Sequence, residues 1–554
     1  MSNKYVGITI GPVVETLTLS SSPMALWFSS YLFSYISKNI CKELISRKIV
    51  TPDDFVVPFV SDEILSSYSY VGLYHDRIII SVNEPSLSKV QDVILDIKKS
   101  VANSIALELS GKNSTKVIDY ITKYLQIFAI EKDLPNEENP IIELSKLLDA
   151  IELTKTHIPV EEENYILSFM NNDNNSANKN QTLKNSFLVK NIVELGPNSF
   201  PLFKKNKKSN DDNNVITITD IANKLVATDL SIVNDSPSAT KISNYYAIVQ
   251  ADGDGIGDVI KSQKGKEHIF SNKCLDFGKR ASEEIYSYGG VPIYAGGDDL
   301  LFIAPLQGHN SKNIFDLIKL LSETFNENIK TETSNPSISF GIAVHYVKFP
   351  LYEAFSNAID LLFGKAKKFQ GKNAVAINFQ KHSGQSFGFV FRKEDQLINK
   401  ISQLISEKDI SDNSSDKSNS SLILHSVSKK IVEHSKLFEI AIVNYLDTIE
   451  NENCDLIDNL FSNIFDSEIH SNANYSGFIE DIKKLLKSFI KSNSKGENPL
   501  IEYIDQSKSS NKKDIFNNTS EKNNQEKALD ILKSLDSILR MVYFFNEEKK
   551  VISR

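Results

Sequence analysis

The spacing of apolar positions changes along the chain and outlines its elements. Residues 5–10, YVGITI, are an apolar run of strand length, followed by GPVVETL. From Pro23 to about Arg47 the pattern is helical, and Trp27, Tyr31 and Tyr35, four apart, make an aromatic face that predicts core packing. Residues 55–60 (FVVPFV) and 76–81 (DRIIIS) predict strands, 87–108 an amphipathic helix and 115–123 another. YLQIFAI predicts a strand, and 140–156 a helix entered from the Pro135 to Pro140 turn. Strand–helix–strand order with two helices predicts a ferredoxin-like unit over residues 1–160.

From 171 to 214 the tracts NNDNNSANKNQ and KKNKKSNDDNN read as loops or disorder, with NSFLVKNIVELGP between them as a small packed insert. Residues 215–235, with ITDIANKL, predict a helix leading onward. A second unit then follows. YYAIVQ is a strand, ADGDGIGDVI a turn entering a helix, and KCLDFGKRASEEIYSYGG a helix that stops at a glycine pair. VPIYAGGDDLLFI predicts a hairpin, and helix, strand, helix and strand complete a β-α-β-β-α-β-α-β order. Both units open with strand, glycine turn and helix, which reads as a degenerate internal duplication. From about 388 onward the pattern is helical throughout, broken at DISDNSSDKSNSS and around 506–525. The fold class is therefore α/β (α+β): units at 1–160 and 241–385, a polar linker without a zinc site at 161–240, and a helical bundle at 386–554.

Length and composition bound this picture. A chain of 554 residues exceeds one core, and 41% apolar with 24% charged residues is a globular balance. No apolar run reaches membrane-spanning length, and MSNKYVGITIGP lacks a signal-peptide core, so the expected compartment is the cytoplasm. Cys41, Cys274 and Cys454 have neither the number nor the spacing for zinc, and predict buried inert thiols. A net charge of −9 argues against a free-standing nucleic-acid binder, while leaving room for RNA held by partner subunits.

The chemistry concentrates at the GGDD turn. Asp298 and Asp299 sit beside Gly296 and Gly297, whose backbone admits a ligand closely. In a ferredoxin-like sheet the first strand neighbours the central hairpin, which brings Asp252 beside this pair. Three carboxylates at one sheet edge can hold two divalent ions, Mg²⁺ or Mn²⁺, about 4 Å apart for phosphoryl transfer. Gly253, Gly255 and Gly257 form a flexible turn whose amides can cradle phosphates at the following helix start, with Asp254 within the same nucleotide site. Lys368, or its neighbour Lys367, is placed to reach the same phosphates, with Lys365 and Lys372 behind them. Each motif alone is weak: GGDD also caps plain hairpins, and DGDG opens calcium loops. The calcium-loop spacing fails because Gln263 stands where loop position twelve needs Glu. The two motifs together, in this order, make the case for a nucleotide site.

YAIVQADGDGIG, YAGGDDLLF and FGIAVHYVKFPLYEAFSNAIDLLFGKAK resemble the catalytic palm of the large polymerase–cyclase subunit of type III CRISPR effector complexes, particularly the Cmr type. More distantly they resemble GGDEF diguanylate cyclases, whose AKxxGxN run is matched by KKFQGKN, with Lys368 in the place of the motif lysine. IGPVVETL and LWFSSYLFSYI resemble the first, non-catalytic palm of the same subunit. The resemblance implies that captured target RNA switches on a palm that joins ATP-derived adenylate into a diffusible second messenger. It implies Asp298, Asp299 and Asp252 as metal ligands, Gly296 and Gly297 lining the nucleotide site, and guide RNA, target RNA and other complex subunits as partners.

Two departures sharpen the expectation. Many family members begin with an HD nuclease domain, whereas here the first palm starts at Tyr5 and His75–Asp76 stands at a strand start, so DNase activity is not expected. The zinc-binding insert usual between the palms is represented by Asn/Lys-rich sequence without cysteines. These reductions resemble a shorter branch, associated with CorA-type channels, that attaches AMP to S-adenosylmethionine. The chain itself would not contact the membrane. The cationic methionine moiety calls for carboxylates, and the first palm offers Asp76 and Glu152. The alternatives are a cyclic oligoadenylate synthase, a non-catalytic nucleotide-binding scaffold subunit, and a free-standing diguanylate cyclase. The last is opposed by GGDD in place of GGDEF, the duplicated unit and the long helical tail.

Overall fold

The computed structural model describes residues 2–67, 69–110, 114–154, 163–171, 183, 186–193, 202, 215–226, 243–309, 312–331, 334–393, 395–406, 419–447, 455–465, 473–494, 500–504 and 523–553. The polar tracts of 172–182 and 203–214, most of DISDNSSDKSNSS, nearly all of the 506–525 break, and Cys454 lie outside the described residues.

In the first unit, β1 (Ser2–Gly11) leads to α1 (Pro23–Ser46), then β2 (Phe55–Val57), β3 (Arg77–Val82), α2 (Leu87–Ser110), α3 (Thr115–Tyr124), β4 (Gln126–Pro135) and α4 (Pro140–Glu152). Its sheet runs β2-β3-β1-β4, antiparallel throughout. Ser22 caps α1, accepting from the Ala25 amide at 3.2 Å, and Pro23 opens the helix where no donor is needed. Two of the three aromatic positions of α1 are core, Trp27 and Tyr31, stacked with ring centres 4.8 Å apart, while Tyr35 is half-buried at the edge of a cavity. The second strand is shorter than FVVPFV suggested, because Pro58 has no amide to donate to a ladder.

The second unit contains β5 (Tyr245–Asp254), α5 (Ile256–Ser262), α6 (Glu267–Tyr288), β6 (Val291–Gly296), β7 (Asp299–Pro305), α7 (Ile314–Ile329), β8 (Ser337–Tyr346), α8 (Leu351–Gly364) and β9 (Ala374–Gln380). Its first four strands lie in the order β8-β5-β7-β6. This repeats β4-β1-β3-β2 of the first unit, so the duplication read from the two openings is a duplication of topology. Strand β5 is buried on both faces by its alternation. Tyr246 and Ile248 join a core shared with the first unit, and Ala247, Val249 and Ala251 join the core on the opposite face.

The region after 385 departs from the all-helical expectation. Ser386–Arg392 forms β10, paired antiparallel with β9 from Ser386↔Gln380 to Arg392↔Ala374. SFGFVFR has period two, and Phe387, Phe389 and Phe391 all enter the core on the second face. Helices follow at Asp395–Ser406, Asn419–Glu433, Ser435–Asp447, Asp455–Ile464 and Ala473–Ser494, then a short strand β11 (Ile501–Tyr503) on β10, and a last helix at Asn524–Ser553. The bundle therefore packs on a seven-stranded sheet to which it contributes an edge. ITDIANKL also differs: only Ile218–Ala222 is helical, opened by the Thr217–Asp220 capping box and ended before Lys224 at φ +60°, and 227–242 lie outside the described residues. NSFLVKNIVELGP contains the helix Phe187–Val193.

The two units are joined along the outer strand of the hairpin. Gly72 bridges Tyr294, and the Ala295 amide donates to the Gly72 carbonyl at 3.1 Å. Asn139 donates to the Ile260 carbonyl at 3.2 Å and to Glu267 at 3.0 Å, and the Phe59 amide donates to Ser271 Oγ at 2.7 Å.

Candidate active site

Strands β6 and β7 pair up to Gly296↔Asp299, leaving Gly297 and Asp298 as a two-residue loop. Gly297 has φ +69°, and Asp298 is not in the positive-φ region, the combination of a type II′ hairpin turn. Register does the rest. Ala251 of β5 lies opposite Leu300 of β7, so the next position along sets Asp252 against Asp299. The Asp252 carboxyl is close enough to raise that of Asp299. Asp298 folds over Gly253: a Cβ built there would lie 2.6 Å from Asp298 Oδ2 and 2.7 Å from Ile256 Cγ1. Residue 253 must be glycine for Asp298 to take this position.

The acids crowd one another. Burial, then the charge of Asp252, pushes the Asp298 carboxyl up to about 6. Asp299 is raised well above the usual carboxylate range by burial, and further by Asp298, Asp252 and Asp76. The Tyr294 phenol is also raised, by burial first and then by Asp76, Asp299 and Asp298. Sequence reasoning passed over Tyr294. Its signal was the strand period, which puts 294 on the same face as 296; a Cβ on Gly296 would meet the Tyr294 hydroxyl at 2.4 Å.

The lysine of the site is Lys367, which corrects the preference for Lys368. Lys367 Nζ donates to the carbonyls of Asp252 at 2.7 Å and Gly253 at 2.6 Å and to Asp254 Oδ1 at 2.9 Å, and pairs with Asp252 Oδ2 at 2.5 Å. The chain leaves α8 in a single 3₁₀ turn, Ala366–Lys368, that aims Lys367 at β5 and leaves Lys368 exposed. Motif spacing alone could not resolve this, since the tighter turn shifts which neighbour faces inward.

Asp254 is also reassigned. It is buried, and besides Lys367 it accepts from Ser337 Oγ at 2.8 Å, Ser339 Oγ at 2.7 Å and the Asn373 amide at 3.1 Å. Both oxygens are engaged within the protein, so it anchors the turn instead of meeting a ligand. Gly255, at φ +76°, is exposed and starts α5.

Among the described residues no three His, Cys, Asp or Glu side chains converge as a finished cage for one ion. The ammonium of Lys367 stands against Asp252 instead. The donor set nonetheless fits divalent Mg²⁺ or Mn²⁺: hard carboxylate oxygens, with Asp298 and Asp299 raised first by burial and then by neighbouring carboxylates, whose repulsion a cation would relieve.

Asp76 and Glu152 come together on the wall of one cavity of about 250 Å³, beside the Gly11–Pro12 turn of the first unit. Asp76 is raised mainly by burial, and it is near enough for its charge to raise Asp299. Glu152 is already engaged, accepting from Thr9 Oγ1 at 2.5 Å and from Arg77 at 3.1 Å.

A duplicated ferredoxin-like fold with an acidic hairpin in its second copy is that of a protein with a nucleotide-cyclase-like palm. Comparison with known proteins agrees. Residues 245–376 match the family described as Cas10/Cmr2, second palm domain, and residues 5–110 match the N-terminal family of CRISPR-associated protein Cmr2. Over these two segments the chain is similar to the Cas10/Cmr2 family, which is consistent with a Cmr-type large subunit. A relative is the CRISPR system Cmr subunit Cmr2 of Pyrococcus furiosus, 28% identical over 212 residues. That match covers 33% of this chain and 23% of the relative. A chain of the cryo-EM structure of type III-B Cmr-beta in the apo state shares the fold, with TM-score 0.55 and 12% identity over 98% of this chain and 82% of that one. A Csm1–Csm4 cassette in complex with cA4 is similar at TM-score 0.48 and 13% identity, over 89% and 70%.

Proposed function

We propose that the chain is the large subunit of a type III CRISPR antiviral ribonucleoprotein working in the cytoplasm, and that target RNA paired with the guide RNA activates its second palm to make a nucleotide messenger from ATP. The observation that carries this reading is the register that sets Asp252 against Asp299 and folds Asp298 over Gly253. Divalent ions bound there would lower the pKa of an attacking hydroxyl and neutralise the pyrophosphate that leaves the α-phosphorus. Asp252, Asp298 and Asp299 would hold those ions. Gly296, Gly297, Gly253 and Gly255 give backbone access for the ATP phosphates. Lys367 fixes the Asp252–Asp254 turn from beneath, through its two carbonyl bonds.

The finer reading is that the acceptor is S-adenosylmethionine, joined to AMP, with a membrane channel as the effector of the product. Its support is Asp76, a carboxyl on the cavity wall close enough to act on Asp299, suited to an ammonium or sulfonium. A second reading, cyclic oligoadenylate, is favoured by Arg77 holding Glu152, which leaves one less carboxylate for a cation. The RNA-activated complex, given ATP with and without S-adenosylmethionine, separates them by product mass. A product made equally well without S-adenosylmethionine rejects the finer reading. Nucleotide synthesis that survives Asp298→Ala with Asp299→Ala rejects the assignment of the reaction to these carboxylates.

A further inference from the structure

A second cavity, of about 170 Å³, opens between α1, the 64–74 segment and α6, away from the acidic hairpin. Tyr31, Tyr35, Lys38 and Lys42 follow one another along α1 at steps of four, three and four, so all lie on one helix face. Lys279 of α6 stands opposite, contributed by the second palm. Among the described residues no carboxylate lines the cavity. Lys38 Nζ donates to the Ser67 carbonyl, and burial, with the charge of Lys42, brings its ammonium down to about 8. Lys42 is exposed and Lys279 half-exposed, at the mouth, and neither has an ion-pair partner among the described residues. Tyr74 also lines the cavity, and its buried hydroxyl has no hydrogen-bond partner there.

Aromatic walls below and ammonium groups at the rim suit a ligand with one flat apolar part and one anionic part. We propose that this cavity is a binding site for a phosphorylated small ligand of the nucleotide class, separate from the GGDD turn, with its phosphates on Lys42 and Lys279. The wall opposite α1 includes Val71 and Leu73, which flank Gly72, the residue bonded to β6. The site therefore borders the strand that carries the turn.

The test is calorimetric titration of the full chain with ADP in EDTA, where a metal-dependent site is silent. Wild-type protein and the Asp298→Ala, Asp299→Ala variant should bind ADP alike. Lys42→Ala with Lys279→Ala should weaken binding at least tenfold without lowering the melting temperature, and Lys42→Arg with Lys279→Arg should restore it. Adenosine and inorganic phosphate should each bind more weakly than ADP. No ADP binding by wild type in EDTA overturns the proposal, as does equal binding by the double alanine variant. Phosphate binding as tightly as ADP overturns the nucleotide assignment, as does a single-stranded RNA oligonucleotide that binds through the same lysines where ADP does not.

Discussion

Lys367 Nζ lies 2.9 Å from Asp254 Oδ1, and this buried pair fixes the turn on which Asp252 and Gly253 are carried. The lysine spends its other bonds on the carbonyls of those two residues. Position 367 thus acts on the shape of the acidic site from within the protein.

Lys367→Met should leave Asp254 buried and uncompensated, at a cost on the order of 3 kcal/mol. It should also reduce RNA-stimulated nucleotide synthesis by about a hundredfold or more, as the turn loses its support. Lys368→Ala should stay within about twofold in both, since its side chain is exposed. Thermal melting and product formation in the assembled complex check the contrast.

Gly253→Ala should separate fold from site. The new Cβ meets Asp298 and Ile256 at 2.6–2.7 Å, so Asp298 must leave its position. The expected result is a protein that melts close to wild type and no longer gains stability from added Mg²⁺, read from melting curves across a Mg²⁺ titration.

Asp298 gives the site a pH signature. Its folded pKa, about 6, lies above the ordinary carboxylate value, so its contribution to stability is full below about pH 4 and is lost as pH rises through 6. Asp299 is shifted in the same direction. Asp298→Asn should therefore raise the stability of metal-free protein at pH 7.5 and change it little at pH 4. Urea denaturation in EDTA at both pH values measures this, and Mg²⁺ should help the wild type more than the variant.

Lys393 predicts the opposite slope. It is buried, donates to Ser322 Oγ at 2.7 Å, lies 4.8 Å from the Phe340 ring centre, and is brought down to about 7, chiefly by burial. A depressed lysine contributes stability above its unfolded value and loses it as pH falls through the folded one. Lys393→Met should stabilise the protein by a few kcal/mol at pH 6 and by progressively less toward pH 10. Denaturation at a series of pH values tests the convergence.

The sequence made some of this legible and hid the rest for identifiable reasons. The GGDD hairpin is local: two glycines between alternating apolar residues specify a turn, and the same strand order then carries Asp252 to Asp299. The choice between Lys367 and Lys368 depends on one tight turn after α8 that residue spacing does not encode. Strand β10 was masked by the helices around it, although the Phe387, Phe389 and Phe391 alternation was present. The approach of Asp76 to Asp299 arises only from docking one palm on the other, and no local pattern announces it. Asp254 sits in the same motif as Asp252, yet neighbouring β8 supplies the serines that turn it inward.

The bond from Ala295 to Gly72 has a bearing on modularity. Strand β6 would otherwise end the sheet with open donors and acceptors, an invitation to foreign strands. The amino-terminal half supplies a clip that shields this margin just before the glycines. Excised alone, the second unit would expose the clip's seat and become sticky, so it cannot be transplanted as a free-standing module without the first.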